Sequence, residues 1–286
     1  MGTQQPRRLL DPSLAASQQS LSSALEAATP SPLENRLQLL RHFDAVFSES
    51  PVSTAADAEE AFRLRYLVYC LDRGFEDAKA CPDGMERDPY DDAALHCLLR
   101  DRVGRRALGT VRLVIASAAK PLGIDSLPLA EYADPECIDI LKGLPVTSTA
   151  EVSRFAIARS AREILSHPQE VSRTKFRVPA PDAQHGSKLL PYMSLGLIRG
   201  LVRLSMQHGI THWCLAAEPS LLRRLRGFGL HFVNAGPLVE HRGLRQICYA
   251  NLHDLLARAE AEHPEFWDII TVGGFLLSDA LARTAA

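Results

Sequence analysis

The chain has 286 residues, enough to bury one large core or one core with trimmings, and its 46% hydrophobic and 23% charged residues are ordinary for a soluble globular protein. A net charge of −2 excludes a general polyanion binder, so no nucleic acid partner is expected and any basic patch must be local. The six cysteines are scattered, with no C-x-x-C pair and no histidines at ligand spacing, which argues against a metal site and fits a reducing cytoplasm; no run approaches the ~18 apolar residues of a membrane span.

Residues 1–32 are rich in Ser, Gln, Ala and Pro, lack the apolar stretch of a signal peptide, and read as a mobile arm. Leu33 to Arg41 is a short helical stretch. The alternating F-D-A-V-F within His42 to Ser48 predicts a first strand. Thr54, with Asp57 three residues on, caps a helix from Ala55 to about Leu71. An acidic loop, C-P-D-G-M-E-R-D-P-Y-D-D (81–92), precedes two strands, A-L-H-C-L-L-R and A-L-G-T-V-R-L-V-I-A, joined by a polar hairpin turn. A stretch punctuated by Pro121, Pro128, Pro135 and Pro145 leads to the strand E-V-S-R-F-A-I, which starts at Glu151. A buried, unpaired charge costs several kcal/mol. Glu151, Ser153 and Arg154 therefore either satisfy one another or face a ligand.

Ser160 to Gly186 is polar and basic with little periodicity, and a loop of that length is usually functional or disordered. Apolar residues at helical spacing run from Leu189 to His208, with Gly209 as the stop. I-T-H-W-C-L-A-A is a strand, Pro219 opens a helix reaching Phe228, and two further strands form a hairpin before a helical tail from about residue 253 to 286. The order β-α-β-β-β-α-β-α-β-β predicts an α/β (α+β) domain over 33–252: a single mixed, mostly antiparallel sheet with helices on both faces.

That order resembles the Gcn5-related N-acyltransferase (GNAT) fold. The succession F-R-L-R-Y-L-V-Y, G-M-E-R-D-P-Y-D, V-R-L and E-V-S-R-F is similar to the acyl-homoserine-lactone (autoinducer) synthases. Their helix arginine, E-x-D-x-x-D loop, third-strand arginine and E-x-S-R strand fall on Arg65, on Glu86, Asp88 and Asp91, on Arg112, and on Glu151, Ser153 and Arg154. The long basic insert and L-L-R-R-L-R-G-F-G-L-H-F look closer to the N-acyl amino acid synthases and the acyltransferases of PEP-CTERM/exosortase systems. The resemblance covers roughly residues 40 to 252.

It implies a fatty-acyl thioester donor, on acyl carrier protein or coenzyme A, an amine acceptor, and no resident cofactor. Acetyl-CoA-dependent relatives follow this strand with a Gly-rich turn for the pyrophosphate. Here A-R-S-A-R-E follows instead, which favours the phosphopantetheine arm of a carrier protein. Glu151 is the best available base for the amine, and backbone N–H groups near Phe155 and Ala156 are placed to hold the oxyanion. Arg65, Tyr69, Glu86, Asp88, Asp91 and Arg112 would organise the acceptor pocket, pairing as a buried salt-bridge cluster with Arg154. Arg159, Arg162, Lys175, Arg177 and Lys188 would dock the carrier protein, with Ser187 in H-G-S-K near its phosphate. Phe155, Met193, Leu197, Trp213 and Leu215 are core or acyl pocket. The resemblance implies N-acylation of a small amine, an amino acid, as the expected activity; an S-adenosylmethionine-dependent autoinducer synthase and a non-catalytic acyl or carrier-protein binding module are the alternatives.

Overall fold

In the computed structural model the residues described are 31–119, 122–161 and 190–278. Ser31 opens helix α1 (Pro32–Val46): its hydroxyl accepts the Glu34 N–H at 3.2 Å while the Glu34 carboxylate takes the Ser31 N–H at 2.7 Å. The strand expected over 42–48 is helix as far as Val46, and β1 is Phe47–Pro51. Phe43 and Phe47 are four residues apart, fully buried, with ring centroids 5.2 Å from one another. That spacing suits a helical stripe as well as it suits alternation, and packing against the core decided between them.

Thr54 caps α2 (Ala55–Arg65) by accepting the Asp57 N–H at 3.1 Å. The helix expected to reach Leu71 changes winding at Tyr66, and Tyr66–Asp72 is a π-helical segment. The hairpin β2 (Ala94–Asp101) and β3 (Ala107–Ile115), then β4 (Thr149–Ile157), α4 (Leu190–His208), β5 (His212–Ala217), α5 (Pro219–Arg226), β6 (Val233–Glu240) and β7 (Leu244–Asn251) follow the sequence reading. Between β3 and β4 the proline-punctuated stretch forms short 3-10 turns and α3 (Pro135–Leu141). After β7 come α6 (Leu252–Glu262) and α7 (Pro264–Thr271), whose Ile269 and Ile270 sit in the main core.

The seven strands form one sheet in the order β1-β2-β3-β4-β5-β7-β6, antiparallel except for β4 beside β5. Register assigns the two faces. Cys97 and Leu99, paired with Val111 and Gly109, face α4, and so do Val152, Ala150 and Trp213 in the neighbouring strands. A Cβ on Gly196 would collide with Leu99, and one on Gly200 with Cys97, so glycine is what lets α4 lie close. Arg199 and Arg203 of that helix clasp Glu49 of β1 at 3.1 and 2.7 Å. The opposite face carries α2 and a second apolar cluster of Val114, Ile124, Leu127, Leu129, Leu141 and Ile247. The mixed sheet with helices on both faces is the predicted fold.

Substituting Gly200→Ala tests the close approach. Overpacking costs about 1–3 kcal/mol, against a helix-propensity gain of about 1 kcal/mol, so a net loss is expected. Thermal melting should fall by a few degrees and recover in the Gly200→Ala/Cys97→Gly double variant; a melt at or above wild type in the single variant would show that the contact has slack.

Candidate active site

Four elements converge under the centre of the sheet, each bringing a charge. Arg65, at the end of α2, donates from Nε to Glu86 at 2.5 Å and from Nη1 to Asp91 at 2.6 Å. Arg112 of β3 donates to Asp88 at 2.5 Å, to Asp91 at 2.7 Å, and from Nε to the Ser153 hydroxyl at 3.0 Å. Arg154 of β4 lies 2.9 Å from both Glu86 and Asp88. The acid loop is wound to fit. Asp88 caps the 3-10 turn Pro89–Ala93 by accepting the Tyr90 N–H at 3.0 Å, and Asp91 accepts the Asp88 N–H at 2.9 Å in return.

Three guanidinium groups thus meet three carboxylates, with Arg65 and Arg112 at 0% exposure and Glu86 at 3%. Burial raises the Glu86 and Asp91 carboxyls, but the hydrogen bonds and charges of the arginines outweigh it: Glu86 is held below its ordinary value and Asp91 is lowered to about 2. His96, beside Asp91, is lowered by burial to about 4 and is neutral at physiological pH. Among the described residues, Nη2 of Arg65, Nη2 of Arg112 and Nδ1 of His96 have no hydrogen-bond partner.

The pairing of β3 with β4 slips by one residue between Thr110 and Arg112, because β4 carries an extra residue at its centre. The bulge falls on Arg154 and Phe155, and Arg154 takes the left-handed φ of 50°. A non-glycine residue holds that conformation only where its surroundings demand it. The demand here comes from Glu86 and Asp88 below and from the Tyr69 ring, 5.4 Å from the guanidinium carbon.

Beyond Glu151 the sheet opens. β4 and β5 pair only at Thr149–His212, Ala150–Trp213 and Glu151–Cys214, and further on they separate around a cavity of about 500 Å³. Because side chains alternate along a strand, the cavity has two characters. On the α4 side it is apolar: Val152, Ile198, Leu201, Trp213, Leu215 and Leu225. The opposite side is polar: Tyr90, Glu131, Tyr132, Glu151 and Ser153, with Tyr90 donating to Glu131 at 2.5 Å. Glu151 is 2% exposed and accepts the Leu129 N–H at 2.9 Å. Burial raises its carboxyl to about 8, against the opposing influence of that N–H, Arg112 and Arg154. A carboxyl poised there exchanges a proton readily at neutral pH.

Of the residues singled out in the sequence, Tyr69, Glu86, Asp88, Glu151, Ser153, Arg154, Phe155, Trp213 and Leu215 line the cavity, while Arg65, Asp91 and Arg112 support it from behind. Met193 and Leu197 do not line it. Both are fully buried in the main core, and the next turn of α4 presents Ile198 and Leu201 instead. Arg159 is exposed just past β4, and Arg162, Lys175, Arg177, Ser187 and Lys188 lie outside the described residues. Glu76, Tyr132, His241, Arg242 and Arg245 line the cavity without having been singled out; all but Arg245, which stands at the start of β7, come from connections whose sequence carries no periodic signal. Among the described residues no group of His, Cys, Asp and Glu is placed to hold a metal ion, and no helix is long and apolar enough to cross a membrane.

No curated protein matches the chain in sequence. A family model described as an acetyltransferase (GNAT) domain matches residues 64–166. Among solved structures, the acyl-homoserine lactone synthase BjaI, described as CoA-dependent and solved with MTA, is 19% identical with a TM-score of 0.50, over 74% of this chain and 89% of its own. FeeM, an N-acyl amino acid synthase from uncultured soil microbes, is 14% identical with a TM-score of 0.47, over 74% of this chain and 94% of its own. The likeness to BjaI shows a shared fold. Residues 64–166, which hold the charge cluster, the bulged strand and Glu151, form an acetyltransferase domain of the GNAT type, and the chain is an acyltransferase built around it.

Proposed function

We propose that the protein transfers a long-chain fatty acyl group from a thioester on acyl carrier protein to the amine of a small acceptor, an amino acid. The observation that carries this reading is the opening between β4 and β5, apolar on one sheet face and polar on the other, with Glu151 at the point where the strands part. An acyl chain suits the side of Ile198, Leu201, Trp213 and Leu225. The acceptor suits the side of Ser153, Tyr90 and Tyr132. FeeM is named for the same class of product, and BjaI for a CoA-borne donor. The six cysteines are all unpaired, in keeping with a cytoplasmic enzyme.

In the reaction the acceptor nitrogen forms a bond to the thioester carbonyl carbon and gives its proton to the Glu151 carboxylate. The oxyanion is held by backbone N–H groups of the bulge at Phe155 and Ala156. Collapse breaks the C–S bond, and the departing sulfur takes the proton from the Glu151 carboxylic acid, leaving an amide and a free thiol. Arg154 keeps the bulge in place. The carrier-protein donor is supported by α5, whose Arg223, Arg224 and Arg226 are exposed and have no ion pair among the described residues, with Arg224 lining the cavity. An acidic carrier would dock there and at Arg159. Mass spectrometry of the products from acyl-carrier protein and mixed amino acids tests the reading: an N-acyl amino acid is expected. Release of methylthioadenosine from S-adenosylmethionine would replace it with autoinducer synthesis, and no amide from any donor would overturn it.

Reversing charge in Arg223→Glu/Arg226→Glu should raise KM for acyl-carrier protein by about tenfold, with a weaker salt dependence, and leave KM for a short acyl-pantetheine substrate unchanged. Equal effects on both donors would remove α5 from the docking surface.

The pH profile of kcat/KM should rise with an apparent pKa of about 8, since the Glu151 carboxylate is the active form. In Glu151→Gln that limb should disappear and the rate should fall by roughly 10²–10⁴-fold. Stability runs the other way. A carboxyl whose folded pKa is raised from 4.5 to about 8 contributes stability that is complete below about pH 4.5 and is lost as pH rises to 8. Wild-type melting temperature should therefore drop across that window relative to Glu151→Gln, and parallel curves would show that the carboxyl is not buried as described.

Arg154→Ala leaves Glu86 and Asp88 short of a buried partner, a loss of about 3–5 kcal/mol at full burial, and its 16% exposure places it toward the lower end. The variant should melt well below wild type and be inactive. Wild-type melting would mean that the guanidinium serves a ligand and not the fold.

A further inference from the structure

The β6–β7 turn belongs to the far edge of the sheet, yet it is fastened on the β4 side of the cavity. In the strand order the opening lies between β4 and β5, with β7 and β6 beyond it. From that distant edge His241 stacks on Tyr132 of the β3–β4 connection, ring centroids 3.7 Å apart and planes within 12°. The next residue, Arg242, pairs with both oxygens of Glu76, which follows the π-helical segment; one of these bonds is 2.8 Å. Glu76 Oε1 also accepts from Arg154 at 3.2 Å. All five side chains line the cavity. Arg245 ties the turn to itself by donating to the Arg242 carbonyl at 2.8 Å.

The turn pays a local conformational cost for this reach. Arg242 has the left-handed φ of 54°, which glycine would adopt more easily, and Gly243 follows at 93°. A guanidinium therefore stands where the backbone favours its absence. The Arg242 side chain is 35% exposed and Glu76 19%, so the fastening is partly in solvent.

We infer that the β6–β7 turn is a strap across the cavity, and that Arg242, Glu76 and His241 are positioning residues for acyl transfer. The strap opens to admit the acceptor. When it closes, Arg242 through Glu76 steadies Arg154 at the bulge, and His241 through Tyr132 completes the wall opposite Glu151. Closure also keeps water from the thioester, so the acyl group goes to the amine and not to hydrolysis. The inference rests on the acyl-transfer reading given above, but the strap has a readout of its own.

The decisive variant is Arg242→Gly, which suits the left-handed turn and removes the latch without threatening the fold. Arg242→Lys keeps a charge for Glu76 and serves as the conservative rescue. With an acyl thioester and the acceptor, Arg242→Gly is expected to raise the ratio of hydrolysis to amide formation by about tenfold, while its melting temperature stays at or above wild type. Hydrogen exchange at residues 241–243 and 153–156 should quicken in the same variant, and Arg242→Lys should restore most of both. Glu76→Gln combined with Arg242→Gly should add nothing to the single change. An unchanged product ratio in the folded glycine variant overturns the strap. If wild type forms no amide at all, the acyl-transfer reading fails instead, and exchange decides the strap alone: unchanged rates at both segments overturn it, and faster rates uphold the latch.

Discussion

Everything distinctive about this molecule depends on a buried set of six charges. Arg65, Arg112 and Arg154 face Glu86, Asp88 and Asp91 with little water to share the load. Such a set is weak evidence for stability, because taking each ion from water costs several kcal/mol, which pairing only returns. Its consequence is geometric. None of the six can be misplaced without leaving another uncompensated, so α2, the acid loop, β3 and β4 are fixed with respect to one another within hydrogen-bond tolerance. The bulge in β4 and the left-handed Arg154 follow from that requirement.

The same arrangement shapes the cavity. Once β4 is bent at Arg154, its outer half cannot continue beside β5, and pairing stops at Glu151. An opening through a sheet touches both faces, and the two faces were built from different materials. On the α4 side the walls are core residues, so the opening there is apolar. On the other side the walls are the charge cluster and the β3–β4 connection, so it is polar. The reaction proposed above, a fatty thioester meeting a small amine, would use both environments. Glu151 sits at the junction, inward enough for burial to lift its carboxyl to about 8 and close enough to the arginines to remain ionisable.

Much of this was legible in the chain. Glu151 and Arg154 announce themselves because charges inside a strand pattern conflict with burial, and the conflict has few solutions; the loop acids Glu86, Asp88 and Asp91, with Arg65 and Arg112, were picked out by the family resemblance. Elements with strong periodicity, α4 and β2 to β4, were placed correctly for the same reason: alternation or a stripe of apolar residues has a definite period. Failure came where two periods fit equally. Phe43 and Phe47 satisfy a helix and a strand alike over so short a run, and the sheet edge took only the second of them. The proline-punctuated stretch also hid its role. Its 3-10 turns have no period to detect, yet together with α3 they supply half of the buried residues of the second core, and they supply the Leu129 N–H that Glu151 accepts.

Residue types and local pattern determined which groups could carry the chemistry: a carboxylate, a hydroxyl and three guanidinium groups that no apolar core would tolerate unpaired. Which apolar residues line the cavity was decided only by packing. Met193, Leu197, Ile198 and Leu201 share one helix, and the phase that turns Ile198 and Leu201 to the cavity is set by the glycines that seat α4 against β2. The arrival of His241 and Arg242 opposite Tyr132 and Glu76 was likewise invisible in the chain, since those partners are more than a hundred residues apart. Local sequence carries local energies, whereas a contact of that separation exists only after the sheet has formed and its far edge has been brought back over the opening.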